Sequence, residues 1–92
     1  MEAARRIAAE QRARQLLERQ NLPEALQSRV LAEGLILGLD KEDLLILRKD
    51  LVASKTYREK NGMLCEELTF ANGATVVIAV EQGIIVGCNS GR

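Results

Sequence analysis

The sequence predicts an α+β fold in which two to three N-terminal helices are followed by a four-stranded antiparallel β-meander. Two features of the 92-residue chain carry this prediction. Residues 2–20 consist mostly of Ala, Arg, Glu, Gln and Leu, which are strong helix formers. From Lys55 onward, the segments KNGM, ANGA and EQGI place glycine-containing turns between extended runs. We therefore expect a single domain over residues 1–92, with a helical half at 1–54 and the meander at 55–92.

The first predicted helix, residues 2–20, has a weak apolar stripe. On a helical wheel, one side gathers Ala9, Ala13, Leu16 and Leu17. A stripe made largely of alanine buries little apolar surface, so the first turns need a packing partner to be stable.

The second predicted helix starts near Asn21. Asn21 can accept hydrogen bonds from exposed amides, Pro23 fits the first turn, and Glu24 can reach back to the cap. Gly34 and Gly38 can each supply the left-handed residue that ends a helix, so the sequence leaves two possible ends.

A third predicted helix begins at Asp40. Acidic residues follow in its first turn, and Arg48 and Lys49 lie near its end, an order of charges that suits the helix dipole. Leucines recur at helical spacing as far as Leu51, with Val52 beside them. Helix three is therefore expected to be apolar over most of its circumference.

Each turn of the meander is predicted to hold two residues, and this fixes the strand register. The expected strands are 55–60, 63–70, 74–80 and 84–88. The expected facing pairs are Lys60 with Met63, Ala71 with Ala74, and Glu81 with Ile84. Following the pleat from these pairs sorts every side chain onto one of two faces of the sheet.

The predicted register gives a sheet that is apolar on both faces. One face carries Tyr57, Leu64, Leu68, Phe70, Val77, Ala79, Ile84, Val86 and Cys88. Because it holds both aromatic residues, we expect the helices to cover it. The opposite face carries Arg58, Met63, Cys65, Val76, Ile78, Val80 and Ile85.

An exposed apolar sheet face usually marks an interaction surface. The predicted partner-binding residues are Val76, Ile78, Val80 and Ile85, and the expected partner is a second copy of the chain, forming a homodimer, or another protein. The alternative is that the N-terminal helix crosses the sheet and covers this face within one chain. An error in the register is the third possibility.

The sequence contains no catalytic motif. Histidine is absent, which removes the commonest general base and metal ligand. Cys65 and Cys88 fall on opposite faces of the predicted sheet, so we expect free, buried thiols and neither a disulfide nor a zinc site. Glu66 is expected on the helix-covered face, opposite Tyr57. We therefore predict a non-enzymatic protein without a cofactor, a metal or a small-molecule substrate.

The rival prediction is nucleic-acid binding. Arg5 and Arg12 belong to a set of arginines on the first helix, and Arg58 and Lys60 flank the Asn61-Gly62 turn. Three helices followed by a hairpin resemble, in their order, the winged helix-turn-helix architecture, which implies a reader helix and a wing. The third helix would be the reader, but its first turn is acidic. We therefore favour a solvated face with Glu–Arg pairing for the first helix.

Composition narrows the remaining classes. The formal net charge is zero, which disfavours a dedicated nucleic-acid binder, and no apolar run approaches 18 residues. Two cysteines without histidine favour a reducing compartment, so a cytoplasmic protein without membrane contact is expected. Small bacterial or phage-encoded regulators, inhibitors and antitoxins are of this size.

Overall fold

The computed structural model describes residues 2–90 and contains three helices followed by four strands. They are α1 Glu2–Arg19, α2 Glu24–Glu33, α3 Lys41–Leu47, β1 Leu51–Arg58, β2 Leu64–Phe70, β3 Thr75–Ala79 and β4 Ile84–Asn89. The strands form one antiparallel sheet in the order β1-β2-β3-β4. The predicted α+β meander is confirmed, and positions 1, 91 and 92 of the predicted domain lie outside the described residues.

The ends of α1 and α2 are set by residues with left-handed backbone. Asn21 has φ 58°, and the N–H of Leu22 donates to the Leu17 carbonyl at 3.2 Å, which closes α1. The prediction that Asn21 starts the second helix is therefore wrong, since Pro23 is the residue that precedes α2. Of the two predicted ends of α2, the structure has Gly34, whose φ is 70°.

The third helix is shorter than the sequence predicts. It follows Asp40, as expected, but it ends at Leu47, and Leu51 and Val52 belong to β1. The backbone is already extended at Arg48, which lies at φ −122° and ψ 128°. Leu51 and Val52 continue the helical spacing of the leucines by coincidence, and the meander begins four residues before the predicted Lys55.

The turns after β1 and β2 are one residue longer than predicted. The backbone N–H of Glu59 donates to the Met63 carbonyl at 2.8 Å, so Lys60, Asn61 and Gly62 form a three-residue loop. Gly62 has φ 90°, the left-handed conformation that such loops require at their last residue.

The turn between β2 and β3 repeats this geometry. Phe70 donates to the Ala74 carbonyl at 2.9 Å, and Gly73, with φ 88°, occupies the position equivalent to Gly62. The Asn72 side chain accepts a hydrogen bond from the Ala74 amide at 3.1 Å. Each longer loop moves the strand pairing by one residue relative to the predicted register.

This change of register reverses the predicted faces of β3. Val76 pairs with Leu68, and Ile78 pairs with both Glu66 and Ile85. The side chains of Val76, Ile78 and Ile85 are at most 1% exposed. They belong to the core cluster whose members are Ala9, Ala13, Leu17, Leu31, Ile36, Leu39, Leu44, Leu47, Leu68, Phe70, Val76, Ile78 and Ile85. Their predicted placement on the face away from the helices is therefore wrong.

A buried arginine joins the helical half to the sheet. Two nitrogens of Arg48 donate to the two carboxylate oxygens of Asp50 at 3.0 and 2.7 Å, and a third contact reaches the Glu33 carbonyl at 3.0 Å. The guanidinium also lies 4.3 Å from the centre of the Phe70 ring and 3.3 Å from the Asn72 side-chain oxygen. Arg48 thus contacts the end of α2, the start of β1 and the β2–β3 turn.

Two further ion pairs hold α3 in place. Arg12 of α1 donates from two nitrogens to the carboxylate of Asp43, each at 2.8 Å, and Asp43 is buried. Lys41, the first residue of α3, lies 2.7 Å from the Glu66 carboxylate of β2. The first pair attaches α3 to α1, and the second attaches it to the sheet.

Replacing Arg48 with methionine should lower the free energy of unfolding by about 2–4 kcal/mol. The apolar stem is kept, whereas the Glu33 carbonyl and the Asp50 carboxylate lose their donor. Urea denaturation measures the change. Lys49→Met is the matched control, because the Lys49 side chain is 64% exposed and its variant should remain within about 0.5 kcal/mol of the parent. Equal effects of the two substitutions would contradict the assigned role of Arg48.

The same pair gives a prediction for acid. Hydrogen bonding from Arg48 lowers the pKa of Asp50 from its ordinary value of 3.8. A lowered pKa stabilises the fold above the unfolded-state pKa, and this contribution is lost as the pH falls through the folded-state value. The difference in unfolding free energy between the parent and Asp50→Asn should therefore shrink below about pH 4. In an Arg48→Met background this pH dependence should become weaker, whereas an unchanged pH dependence would assign it to other groups.

Candidate functional site

The sheet has an outer face, turned away from the helices, whose centre is apolar. Tyr57 pairs with Cys65, Cys65 with Ala79, and Ala79 with Ile84. These four residues therefore form one row across all four strands, with large side chains at both ends and small ones in the middle. Val77, two residues before Ala79 on β3, lies on the same face.

The middle of this row is inaccessible although its residues lie outside the main core cluster. Cys65 is 0% and Ala79 2% exposed, yet neither belongs to the hydrophobic core cluster. Tyr57, Val77 and Ile84 are half-buried and also lie outside the cluster. Short side chains thus occupy the middle of the row, and the larger Tyr57 and Ile84 lie at its two ends.

Polar residues border this apolar row. Lys55 and Glu67 face each other on β1 and β2, and their charged atoms are 3.8 Å apart. Thr69 and Thr75 form the next pair along β2 and β3. Partial burial raises the pKa of Tyr57, and the nearby Cys65, Glu59 and Glu67 raise it further. An apolar centre with a rim carrying both signs of charge is typical of protein contact surfaces.

The structure divides the four predicted partner-binding residues. Val80 is 40% exposed at the end of β3, whereas Val76, Ile78 and Ile85 lie beneath the helices. Val76, Ile78 and Ile85 are covered within the chain, as in the alternative prediction. Their cover lies on the same side of the sheet as Phe70, so the sheet is not sandwiched between helices. The apolar residues that face outward are Tyr57, Cys65, Val77, Ala79 and Ile84, most of which the sequence had assigned to the helix-covered face.

Of the four residues of the nucleic-acid alternative, Arg12 and Arg58 make intramolecular hydrogen bonds. Arg12 is bound to Asp43, and the neighbouring acidic residues raise its pKa further. Arg5 lines the same recess between α1 and α3 as Arg12 and Asp43. Arg58 donates to the Gly62 carbonyl at 2.8 Å, and Lys60 is exposed in that turn. Arg12 and Arg5 therefore lie beside acidic residues of α3.

The thiols and Glu66 have ordinary structural environments. Cys65 and Cys88 are both free and lie on opposite faces, as predicted, but only Cys65 is buried. Partial burial raises the pKa of Cys88. Glu66 lies on the helix-covered face, where it binds Lys41 and not the predicted Tyr57. Within residues 2–90, no group of His, Cys, Asp or Glu side chains is arranged to hold a metal ion.

Comparison of the chain with protein-family models, with curated proteins and with solved structures finds no match. Among the described residues, no helix combines the length and the apolar character needed to cross a membrane. The outer face must therefore be judged from its own geometry.

The two faces of β3 should respond oppositely to a buried charge. Ile78→Lys places an ammonium group in the core and should prevent stable folding, because Ile78 is 1% exposed. Val77→Lys, at the adjacent position on the outer face, should leave a folded protein with a cooperative thermal transition. Circular dichroism of the two variants measures this. A folded Ile78→Lys protein together with an unfolded Val77→Lys protein would show that the register is wrong.

Proposed function

We propose that this protein is a non-catalytic interaction module that self-associates through the outer face of its sheet. The observation that carries the proposal is the row from Tyr57 through Cys65 and Ala79 to Ile84, which is apolar and outside the core cluster. A regulator or inhibitor that acts by changing its association state needs no catalytic residue. The absence of histidine from the chain fits such a role.

The shape of the outer face favours a second copy as the partner. In a twofold arrangement, each copy presents the same patch to the other. The half-buried side chains of Tyr57, Val77 and Ile84 of one sheet can then pack between those of the other. Sheets that stack face to face fill their interface by interdigitation of this kind.

The charges of the outer face are also self-complementary. Lys55 and Glu67 stand side by side, so a twofold axis can bring each residue near its opposite charge in the other copy. The formal net charge of the chain is zero, and two copies therefore do not repel each other over long range.

The expected association is reversible. Complete burial of a large apolar side chain contributes about 1.5–3 kcal/mol, and Tyr57, Val77 and Ile84 are already half-buried. The remaining gain must exceed an association cost of about 4–15 kcal/mol. The dimer should therefore dissociate on dilution.

Light scattering across a dilution series tests the proposal. The mass of the parent protein should rise with concentration toward that of a dimer, whereas Val77→Lys should remain a monomer over the same range. Ile7→Lys is the matched control, because Ile7 is 56% exposed on α1, far in sequence from the sheet, and its variant should associate as the parent does. A parent protein that stays monomeric at every concentration, or equal loss of association in both variants, would overturn the proposal.

A further inference from the structure

The two edges of the sheet are treated differently by the rest of the chain. Along β4, Gly38 donates to the Ile85 carbonyl at 2.8 Å, and Ile85 donates to the Leu39 carbonyl at 2.9 Å. The backbone N–H of Lys41 donates to the Gly83 carbonyl at 2.9 Å, and Asp40 forms an antiparallel β-bridge with Ile84. The segment that leads into α3 therefore pairs with the first two residues of β4 and occupies that part of the edge.

The edge formed by β1 carries unpaired backbone groups. The backbone N–H of Glu59 donates to the Met63 carbonyl, so the backbone groups of Glu59 point toward β2. Because these groups point to alternate sides along a strand, the N–H and C=O groups of Ser54, Thr56 and Arg58 point away from β2. No backbone partner within residues 2–90 pairs with β1 on that side. Seven of the eight residues of β1 are exposed, and the strand contains no proline to block pairing.

The charges along this edge have mostly one sign. The basic residues in and next to β1 are Lys49, Lys55, Arg58 and Lys60. The acidic residues of the same stretch are Asp50, which is held by Arg48, and Glu59. The Lys55 side chain is 70% exposed, and its contact with Glu67 is long, at 3.8 Å. Lys49 lies 3.8 Å from Glu2, and Arg58 donates to the Gly62 carbonyl, so the accessible positive charge beside the unpaired backbone groups is mainly that of Lys55.

We propose that β1 is a strand-addition site for an extended acidic segment of another protein. An incoming strand would bond to the outward backbone groups of Ser54, Thr56 and Arg58, and the carboxylates on one of its faces would lie beside Lys55. Pairing of two β1 strands from two copies would instead place like charges together, because β1 itself contains no acidic residue. This site uses the backbone edge of β1 and shares only Lys55 with the outer face, and it does not depend on self-association.

Fluorescence anisotropy with a defined peptide tests the site. The probe is a labelled peptide of about eight residues, the span of a strand, in which threonine alternates with glutamate. A matched peptide carries lysine in place of glutamate and should bind at least about tenfold more weakly. Thr56→Pro removes an outward N–H and no bond to β2, so it should weaken binding at least about tenfold. Thr56→Val keeps that N–H and should bind as the parent does.

Two additional measurements make the result decisive. A probe peptide methylated at alternate backbone nitrogens should bind the parent protein at least about tenfold more weakly, and this holds even if Thr56→Pro fails to fold. Val77→Lys should bind the unmodified peptide normally, which separates this site from the outer face. Absence of binding by the acidic peptide would show that the lysines only protect the edge. Equal binding of the methylated and unmethylated peptides would reduce the interaction to charge attraction, and either result overturns the proposal.

Discussion

The left-handed backbone of Gly62 and Gly73 is the constraint on which the rest of the sheet depends. At φ 90° and 88°, these residues close loops of three residues and fix the pairing of β1 with β2 and of β2 with β3. Because side chains alternate along a strand, this pairing decides that Val76 and Ile78 face the helices and that Val77 and Ala79 do not. The composition of the core and that of the outer face are both consequences of the loop length.

Arg48 adds a second constraint, because it joins parts of the chain that few large side chains can hold together. Phe70 is the single phenylalanine of the chain, and the Arg48 guanidinium lies over its ring at 4.3 Å. The same group binds Asp50 and the Glu33 carbonyl, so one buried cation satisfies the end of a helix and fixes the start of a strand. The rest of the core is aliphatic, so this contact adds directional attachments that apolar packing does not provide.

The fold class could be predicted from the sequence, whereas the faces of the sheet could not. Glycine-containing turns separate the strands whichever loop length is used, but Asn-Gly fits both a two-residue and a three-residue loop. Hydrophobic alternation did not resolve the choice, because residues 76–80 are apolar throughout. A size difference was the available signal: Val76 and Ile78 are larger than the small residues Cys65 and Ala79 of the outer face. The role of Arg48 depends on tertiary partners distant in sequence, and local charge order indicated only a helix end.

Within residues 2–90, the helices therefore cover one face of the sheet and not the other, and backbone pairing reaches the start of the β4 edge but not the outward edge of β1. The outer face carries Lys55 and Glu67 side by side next to the apolar row, which suits contact with an identical surface. The β1 edge has excess positive charge and unpaired backbone groups, which suits an acidic strand and opposes pairing with itself. Contacts to the face use side chains, whereas contacts to the edge use backbone atoms in the plane of the sheet. The two surfaces share Lys55. At the outer face its charge is placed to meet Glu67 of a second copy, and at the β1 edge it is placed to meet a carboxylate of the added strand.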